Sequence, residues 1–295
     1  MTPLIECVPN FSEGCRQNII REVVDAICLD GIDLLHQTSD PDHNRTVVTF
    51  TGSPDKVLDA AFEGVKAAAT LIDLEVHRGV HPRLGAMDVV PFVPLQGATM
   101  EDCVILARKL GQQVGDELGL PVYLYGAAAI RPERESLATI RRGEYEKLKN
   151  TITFPERYPD YGPAKLGRAG AVVIGARPPL IAFNIFLTTD DVAIARSIAR
   201  IIRYSSGGLP GVQALGLRVA NRAQVSMNLI AYKQTPLHRV VEIVRMEAAK
   251  FGVGIYKTEL IGLIPKDAIL DAAAWYLQLH DFQNQQVLDY VSPIN

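Results

Sequence analysis

The chain is poor in the features that would tie it to an oxidising compartment, a membrane or a nucleic acid. Its four cysteines are Cys7, Cys15, Cys28 and Cys103. None forms a Cys-x-x-Cys pair, and in their helix and strand patterns they read as small buried apolar residues. A reducing compartment is expected. No apolar run reaches membrane-spanning length, and the opening Met-Thr-Pro-Leu-Ile-Glu lacks a signal-peptide layout, so the expected location is cytoplasmic. No long basic run offsets the net charge of −3, which argues against nucleic acid and membrane surfaces as partners. Positive charge used in binding must be local. Nucleotide loops are missing too. Gly162-Pro-Ala-Lys-Leu-Gly-Arg-Ala-Gly-Ala171 lacks a Gly-Lys-Ser/Thr ending and the dinucleotide spacing, so ATP and NAD are not expected.

What is present describes a soluble globular protein: 48% hydrophobic and 21% charged residues over 295 positions, enough for two cores. Strand patterns fall at Leu4–Val8, Ile32–Gln37, Thr46–Thr51, Val89–Leu95 and Pro121–Tyr125. Helical spacing marks Asn18–Ile27, Pro54–Leu71 with Ser53 before it, and Met100 to about Leu118 behind Thr99. Glu133–Lys149 reads as one charged helix, and 154–163 as a surface loop. After a break near Arg177-Pro-Pro179 come strands at Leu180–Thr188, Val212–Val219, Ala223–Ile230 and Gly254–Gly262. Helices from Thr189-Asp-Asp-Val to about Tyr204 and from Pro236 to Phe251 lie between them. Each half has a β-α-β-β-α-β order, as in the split βαβ unit. The expected fold class is α+β: two ferredoxin-like subdomains with mixed sheets, 1–178 and 179–295, and a ligand cleft between them.

One stretch holds too much chemistry for a connector. His77-Arg-Gly-Val-His81-Pro-Arg-Leu-Gly-Ala-Met-Asp88 leads directly into an apolar run. Pro82 biases the backbone of His81 toward an extended form, so its imidazole can be aimed. Gly79 and Gly85 permit tight turns, while Arg78 and Arg83 can grip carboxylates. Asp88 could accept an N–H from a ring nitrogen and raise the histidine's basicity. Asn10 and Ser12 could meet a ligand from the 9–14 turn, and His43 stands beside Arg45, a potential anion binder. A zinc site on His77 and His81 is not expected, because Gly79 and Pro82 oppose the helix that would put both on one face. His36, His238 and His280 fall in strand or helix patterns and read as structural.

The wording of the loop resembles the glutamate formiminotransferase family, which also forms the front portion of formiminotransferase-cyclodeaminase. His81-Pro-Arg-Leu-Gly-Ala-Met-Asp88 with Val-Pro-Phe-Val-Pro94 carries the likeness. Glu6-Cys-Val-Pro-Asn-Phe-Ser-Glu-Gly14, Asn44-Arg-Thr46, Pro121-Val-Tyr-Leu-Tyr-Gly126, Arg142-Gly-Glu-Tyr-Glu146 and Gly175-Ala-Arg177 with Leu180-Ile-Ala-Phe-Asn184 agree with it.

The resemblance implies transfer of a formimino group from N-formimino-L-glutamate to N5 of tetrahydrofolate, the co-substrate, in histidine breakdown. His81 matches the family's catalytic histidine. Gly162, Pro163, Ala164, Lys165, Leu166, Gly167, Arg168, Ala169, Gly170 and Ala171 match its folate-contacting segment, the glycines better than the residues from Ala164 to Arg168. Asn10, His43, Arg45, Arg83 and Asp88 are candidate supporting residues, and no metal is needed. A homodimer is implied, with cyclodeaminase activity on a separate protein. The alternatives are folate-dependent formyl transfer and a non-catalytic folate-binding protein.

Overall fold

The computed structural model describes residues 3–288, whose contacts divide the chain between Pro178 and Pro179. In the first unit, β1 (Ile5–Cys7) and β2 (Asn10–Phe11) follow one another along a single lane of a seven-stranded sheet. On one side they pair antiparallel with β4 (Arg45–Gly52), which in turn pairs with β3 (Ile32–Asp40). On the other side lies β5 (Met87–Pro94), again antiparallel. Beyond it β7 (Val172–Ala176) and then β6 (Val122–Gly126) run parallel to β5.

The gap between β1 and β2 has a covalent cause. Cys7 faces Phe92 and Asn10 faces Val89, so at the break Val8 comes opposite Pro91 and Pro9 opposite Val90. Neither proline has an N–H to give the ladder. The neighbouring groups are satisfied instead by Val8 N–H to Pro91 O (3.2 Å) and Val48 N–H to Pro9 O (3.0 Å). Asn10 is thus held in a strand where the sequence suggested a turn.

Helices α1 (Gln17–Ile27), α2 (Pro54–Leu71) and α3 (Met100–Glu117) cover one face of this sheet. The apolar stripe of α1, Ile19, Ile20, Val23, Val24 and Ile27, is wholly buried. Thr99 and Asp102 complete a reciprocal capping box at the start of α3. Ser53 occupies the corresponding position before α2, but its side chain makes no cap hydrogen bond. Val122, Leu124, Val172 and Ile174 face these helices. Their alternates Tyr123, Tyr125 and Val173 face a smaller core with Ile140, Leu148 and Ile152, so this end of the sheet is covered on both sides.

The expected helix over 133–149 is not continuous. A 3-10 turn at Pro132–Arg134 precedes two short helices, α4 (Leu137–Ile140) and α5 (Glu144–Thr151). Between them Gly143 and Glu144 take φ of 84° and 56°. Left-handed backbone at two successive positions ends one helix and redirects the next.

The second unit builds its own core under a four-stranded antiparallel sheet. Its order is β11 (Ile255–Ile261), β8 (Ile181–Leu187), β10 (Arg222–Leu229), β9 (Val212–Val219). Helix α6 (Val192–Ile202), capped by Asp191, and α7 (Leu237–Ala249) supply the other half of that core. A further helix, α8 (Lys266–Leu277), was not expected from the sequence; Ala268 is its one buried residue. Apolar residues on most of its turns leave no clean stripe to read. His280 lies in a turn beyond α8 rather than in a regular element, whereas His36 is in β3 and His238 in α7.

Candidate active site

Three neighbouring segments bring the chemistry together: the turn between β3 and β4, the 77–88 loop, and the break between α4 and α5. At the centre is Asp88, completely buried near the start of β5. Its Oδ1 accepts the Leu84 N–H at 2.7 Å, which pins the loop onto the strand. Its Oδ2 takes Arg45 Nη1 at 2.7 Å and also Arg141 Nη2. Arg45 turns its Nε and Nη2 to Asn10 Oδ1, at 3.1 and 3.0 Å. One carboxylate therefore sits between two guanidiniums. The cluster carries a net positive charge suited to an anionic ligand.

That arrangement accounts for the ionisation of its members. Burial alone would raise the Asp88 carboxyl, but Arg141, Arg45 and the Leu84 N–H outweigh it and hold the group well below the usual carboxylate range. Burial pushes Arg45 down to about 10, so it remains charged at neutrality.

His81 lies against this cluster. Its Nδ1 is 2.8 Å from the Pro82 carbonyl and 3.2 Å from Arg45 Nη1. A carbonyl only accepts, so the shorter contact places the hydrogen on Nδ1 and leaves the lone pair of the neutral ring on Nε2. Arg45 then acts on the ring as a charge. Desolvation, followed by the positive charges of Arg45 and Arg141, pushes the imidazole well below its ordinary value; Asp88 opposes them only in part. The ring is a neutral acceptor across the physiological range.

The sequence suggested Asp88 as the direct partner of this imidazole. Its oxygens are instead taken by Arg45, Arg141 and Leu84 N–H, and the Arg45 guanidinium bonds Asp88 while its Nη1 also contacts the ring. Arg83, suggested for substrate carboxylates, is buried and engaged. It donates to His77 Nδ1 at 3.1 Å and pairs with Glu146 at 2.8 Å and Glu144 at 3.3 Å. Its work is to brace α5 against the loop. His77 is a structural link as well, with Nε2 2.9 Å from Asn44 O. Both its ring nitrogens are occupied, so it does not join His81 on one ligand. Ser12 is buried, its hydroxyl donating to Gly85 O at 2.8 Å.

His43 is brought to the site. Asp40 takes its Nδ1 at 2.7 Å and its backbone N–H at 2.9 Å. Asn44, at φ 48°, bonds Gly14 N–H at 2.9 Å and Arg78 O at 2.7 Å. The two loops are in van der Waals register, since a Cβ on Gly79 would fall 2.3 Å from the His43 carbonyl oxygen.

The 162–171 segment reaches the same loop by its second half. Ala86 N–H donates to Ala169 O (2.8 Å), Ala171 N–H to Leu84 O (3.0 Å), and Gly85 faces Gly170 in a bridge. Lys165 and Arg168 are exposed, with Arg168 paired to Asp73 at 2.6 Å. Arg141, Asp40 and Asn44 escaped the sequence reading as site residues. Asp40 lies three residues before His43, and Arg141 is next to the motif that begins at Arg142, but a continuous helix over 133–149 would not have aimed Arg141 at Asp88.

Comparison with known proteins gives the family. Residues 4–177 match the family described as formiminotransferase domain, N-terminal subdomain, and residues 182–290 match the formiminotransferase domain. The chain is 50% identical to a glutamate formimidoyltransferase of Thermoplasma acidophilum, over 97% of this chain and 96% of that one. It is 42% identical to a glutamate formimidoyltransferase of Streptococcus pyogenes serotype M1, over 98% of each. Against the formimidoyltransferase-cyclodeaminase of Mus musculus it is 45% identical, over 94% of this chain and 53% of the longer protein. With both halves matched in order and nearly the full length aligned, the chain belongs to the formiminotransferase family.

Proposed function

We infer that the protein is a glutamate formimidoyltransferase, a one-carbon transferase. It moves the formimino group from N-formimino-L-glutamate to N5 of tetrahydrofolate, giving L-glutamate and 5-formiminotetrahydrofolate in histidine degradation. The observation that carries this reading is the near-complete alignment with two enzymes of that name. The neutral, oriented His81 supports it chemically. Attack on the formimino carbon requires N5 to lose a proton, and His81 Nε2 is the acceptor we assign to it. Arg45 and Arg141, sharing one carboxylate, supply the positive field for the substrate carboxylates, with Asn10 holding Arg45 in place. Arg83 and Asp88 act as braces of that arrangement.

The 162–171 segment is the folate-contacting element in this proposal, supported by its pairing with the 84–86 stretch and by the exposed Lys165. Tetrahydrofolate is the co-substrate and no metal takes part. The antiparallel orders β5, β1/β2, β4, β3 and β11, β8, β10, β9 support a ferredoxin-like reading of both halves. A cytoplasmic homodimer working with a separate cyclodeaminase completes the proposal. The test is a spectroscopic assay with tetrahydrofolate and formiminoglutamate, beside formylglutamate. Turnover with the formimino donor is expected. Turnover with formylglutamate alone would replace the reading with formyl transfer.

A further inference from the structure

We propose that His43, held by Asp40, is a second proton-transfer group for this reaction, donating to the departing glutamate nitrogen while His81 accepts the proton from tetrahydrofolate N5. The inference rests on the formimino-transfer reading above and adds a residue to it.

The two imidazoles stand as an edge-to-face pair, their ring centroids 6.0 Å apart and their planes at 63°. Each is tethered through Nδ1, His81 to the Pro82 carbonyl and His43 to the Asp40 carboxylate. Among the described residues neither Nε2 has a hydrogen-bond partner, so both rings offer that atom to a ligand. Their surroundings differ in sign. Arg45 contacts the His81 ring at 3.2 Å, which favours an unprotonated acceptor. Asp40 places a carboxylate 2.7 Å from Nδ1 of His43, a negative charge where His81 has a positive one. The hydrogen bond from His43 also holds the Asp40 carboxyl below its usual range.

His43 is no loose loop residue. Its side chain is only 11% exposed, and the turn carrying it is locked to the catalytic loop through Asn44 and Gly79. Such positioning is wasted on a solvated histidine.

The proton balance gives two rings separate work. The N5–C bond forms as the N5 hydrogen passes to His81 Nε2. The C–N bond to glutamate breaks as the hydrogen on His43 Nε2 passes to that nitrogen, and its bonding pair stays with the amine. One ring ends with a proton more and the other with a proton fewer, and exchange with water restores both. No oxidant, reductant or third reactant is consumed. A single imidazole would have to carry one proton from one side of the tetrahedral carbon to the other, whereas two rings 6.0 Å apart can stand on both sides.

The experiment uses the full chain with His43→Gln, His43→Ala and Asp40→Asn. For each variant kcat, KM, tetrahydrofolate affinity and the thermal midpoint are measured, and His43→Ala is assayed with and without added imidazole. His43→Gln keeps an N–H for Asp40 and guards against a collapsed turn. The expected result is a fall in kcat of about 10²- to 10³-fold for His43→Gln with little change in KM or folate affinity. Imidazole should return about tenfold or more of the rate lost by His43→Ala, and Asp40→Asn should lower kcat on the same donor. Wild-type-like kcat in His43→Gln overturns the proposal. So does a loss that imidazole leaves untouched and that folate affinity shares, because that is the mark of a structural role. An active wild type with a full-rate His43→Gln removes this inference alone; an inactive wild type removes the transferase reading with it.

Discussion

Asp88 illustrates how much rests on a single side chain. Its carboxylate satisfies two guanidiniums and the Leu84 N–H inside the protein, so Asp88→Asn leaves two like charges facing each other. A loss of about 3–5 kcal/mol in unfolding free energy is expected at neutral pH, the usual result of removing one partner from a buried ionic network. The sign with pH follows from the depressed carboxyl: its stabilisation is complete above the unfolded value of about 3.9 and fades as the pH falls through the lower folded value. Urea titrations at several pH values should therefore show the gap between wild type and variant closing only in strong acid. A gap that closes near neutrality would assign the effect to another group. His81 carries the chemical counterpart. His81→Ala should keep its tetrahydrofolate affinity and lose about 10²- to 10⁴-fold in kcat. Because desolvation and two arginines depress this imidazole, the acid limb of the wild-type kcat profile should lie below the ordinary histidine value of about 6.5. A limb above that value would mean that another group governs the rate. The histidine itself was legible in the sequence, since Pro82 and the flanking glycines announce an aimed side chain. The groups beside it were not: Asp88 was expected on the ring, but it binds Arg45 and Arg141, which is decided only when β4 and α4 arrive beside it.

Among elements, the 162–171 segment, proposed above as folate-contacting, shows that its glycines are not interchangeable. Gly170 has φ +72°, and a Cβ there would fall 2.2 Å from Leu84 O. Gly170→Val would force the segment away from the 77–88 loop, so the protein's thermal midpoint should drop, and any lost folate affinity would be indirect. A Cβ on Gly167 would meet nothing within 4 Å, which makes this position the cleaner probe. Gly167→Val should leave the thermal midpoint unchanged and raise the folate dissociation constant; unchanged affinity, measured by fluorescence titration, would take this part of the segment out of the site. The elements that were readable are α1, α2 and α3, with buried residues at helical spacing, and strands written as short apolar runs. The 133–149 stretch is charged on both sides of Ser136–Ile140, and only its left-handed pair at Gly143 and Glu144 reveals the break.

At the scale of the molecule, each unit has its own hydrophobic core. Ile198, wholly buried under the second sheet, makes a direct test. Ile198→Ala should cost about 2–5 kcal/mol. Amide exchange should quicken across β8 to β11 and leave β1 to β7 close to wild type; equal loosening of both sheets would show that the units unfold as one. The order of elements within each half could be read from the sequence because local patterning writes it. The place of β7 and β6 in the first sheet could not, since it depends on parallel pairings such as Val89–Val173 and Tyr123–Val173 whose partners are set by packing. The lock between the β3–β4 turn and the 77–81 stretch also restricts how such a chain can diverge. Adding or deleting a residue between Ser39 and Arg45 would slide Asn44 off its contacts with Gly14, Arg78 and His77 together. Length changes in the hairpin should therefore survive only when matched in the second loop, and the two segments should drift as a unit while the surface loops around them vary freely.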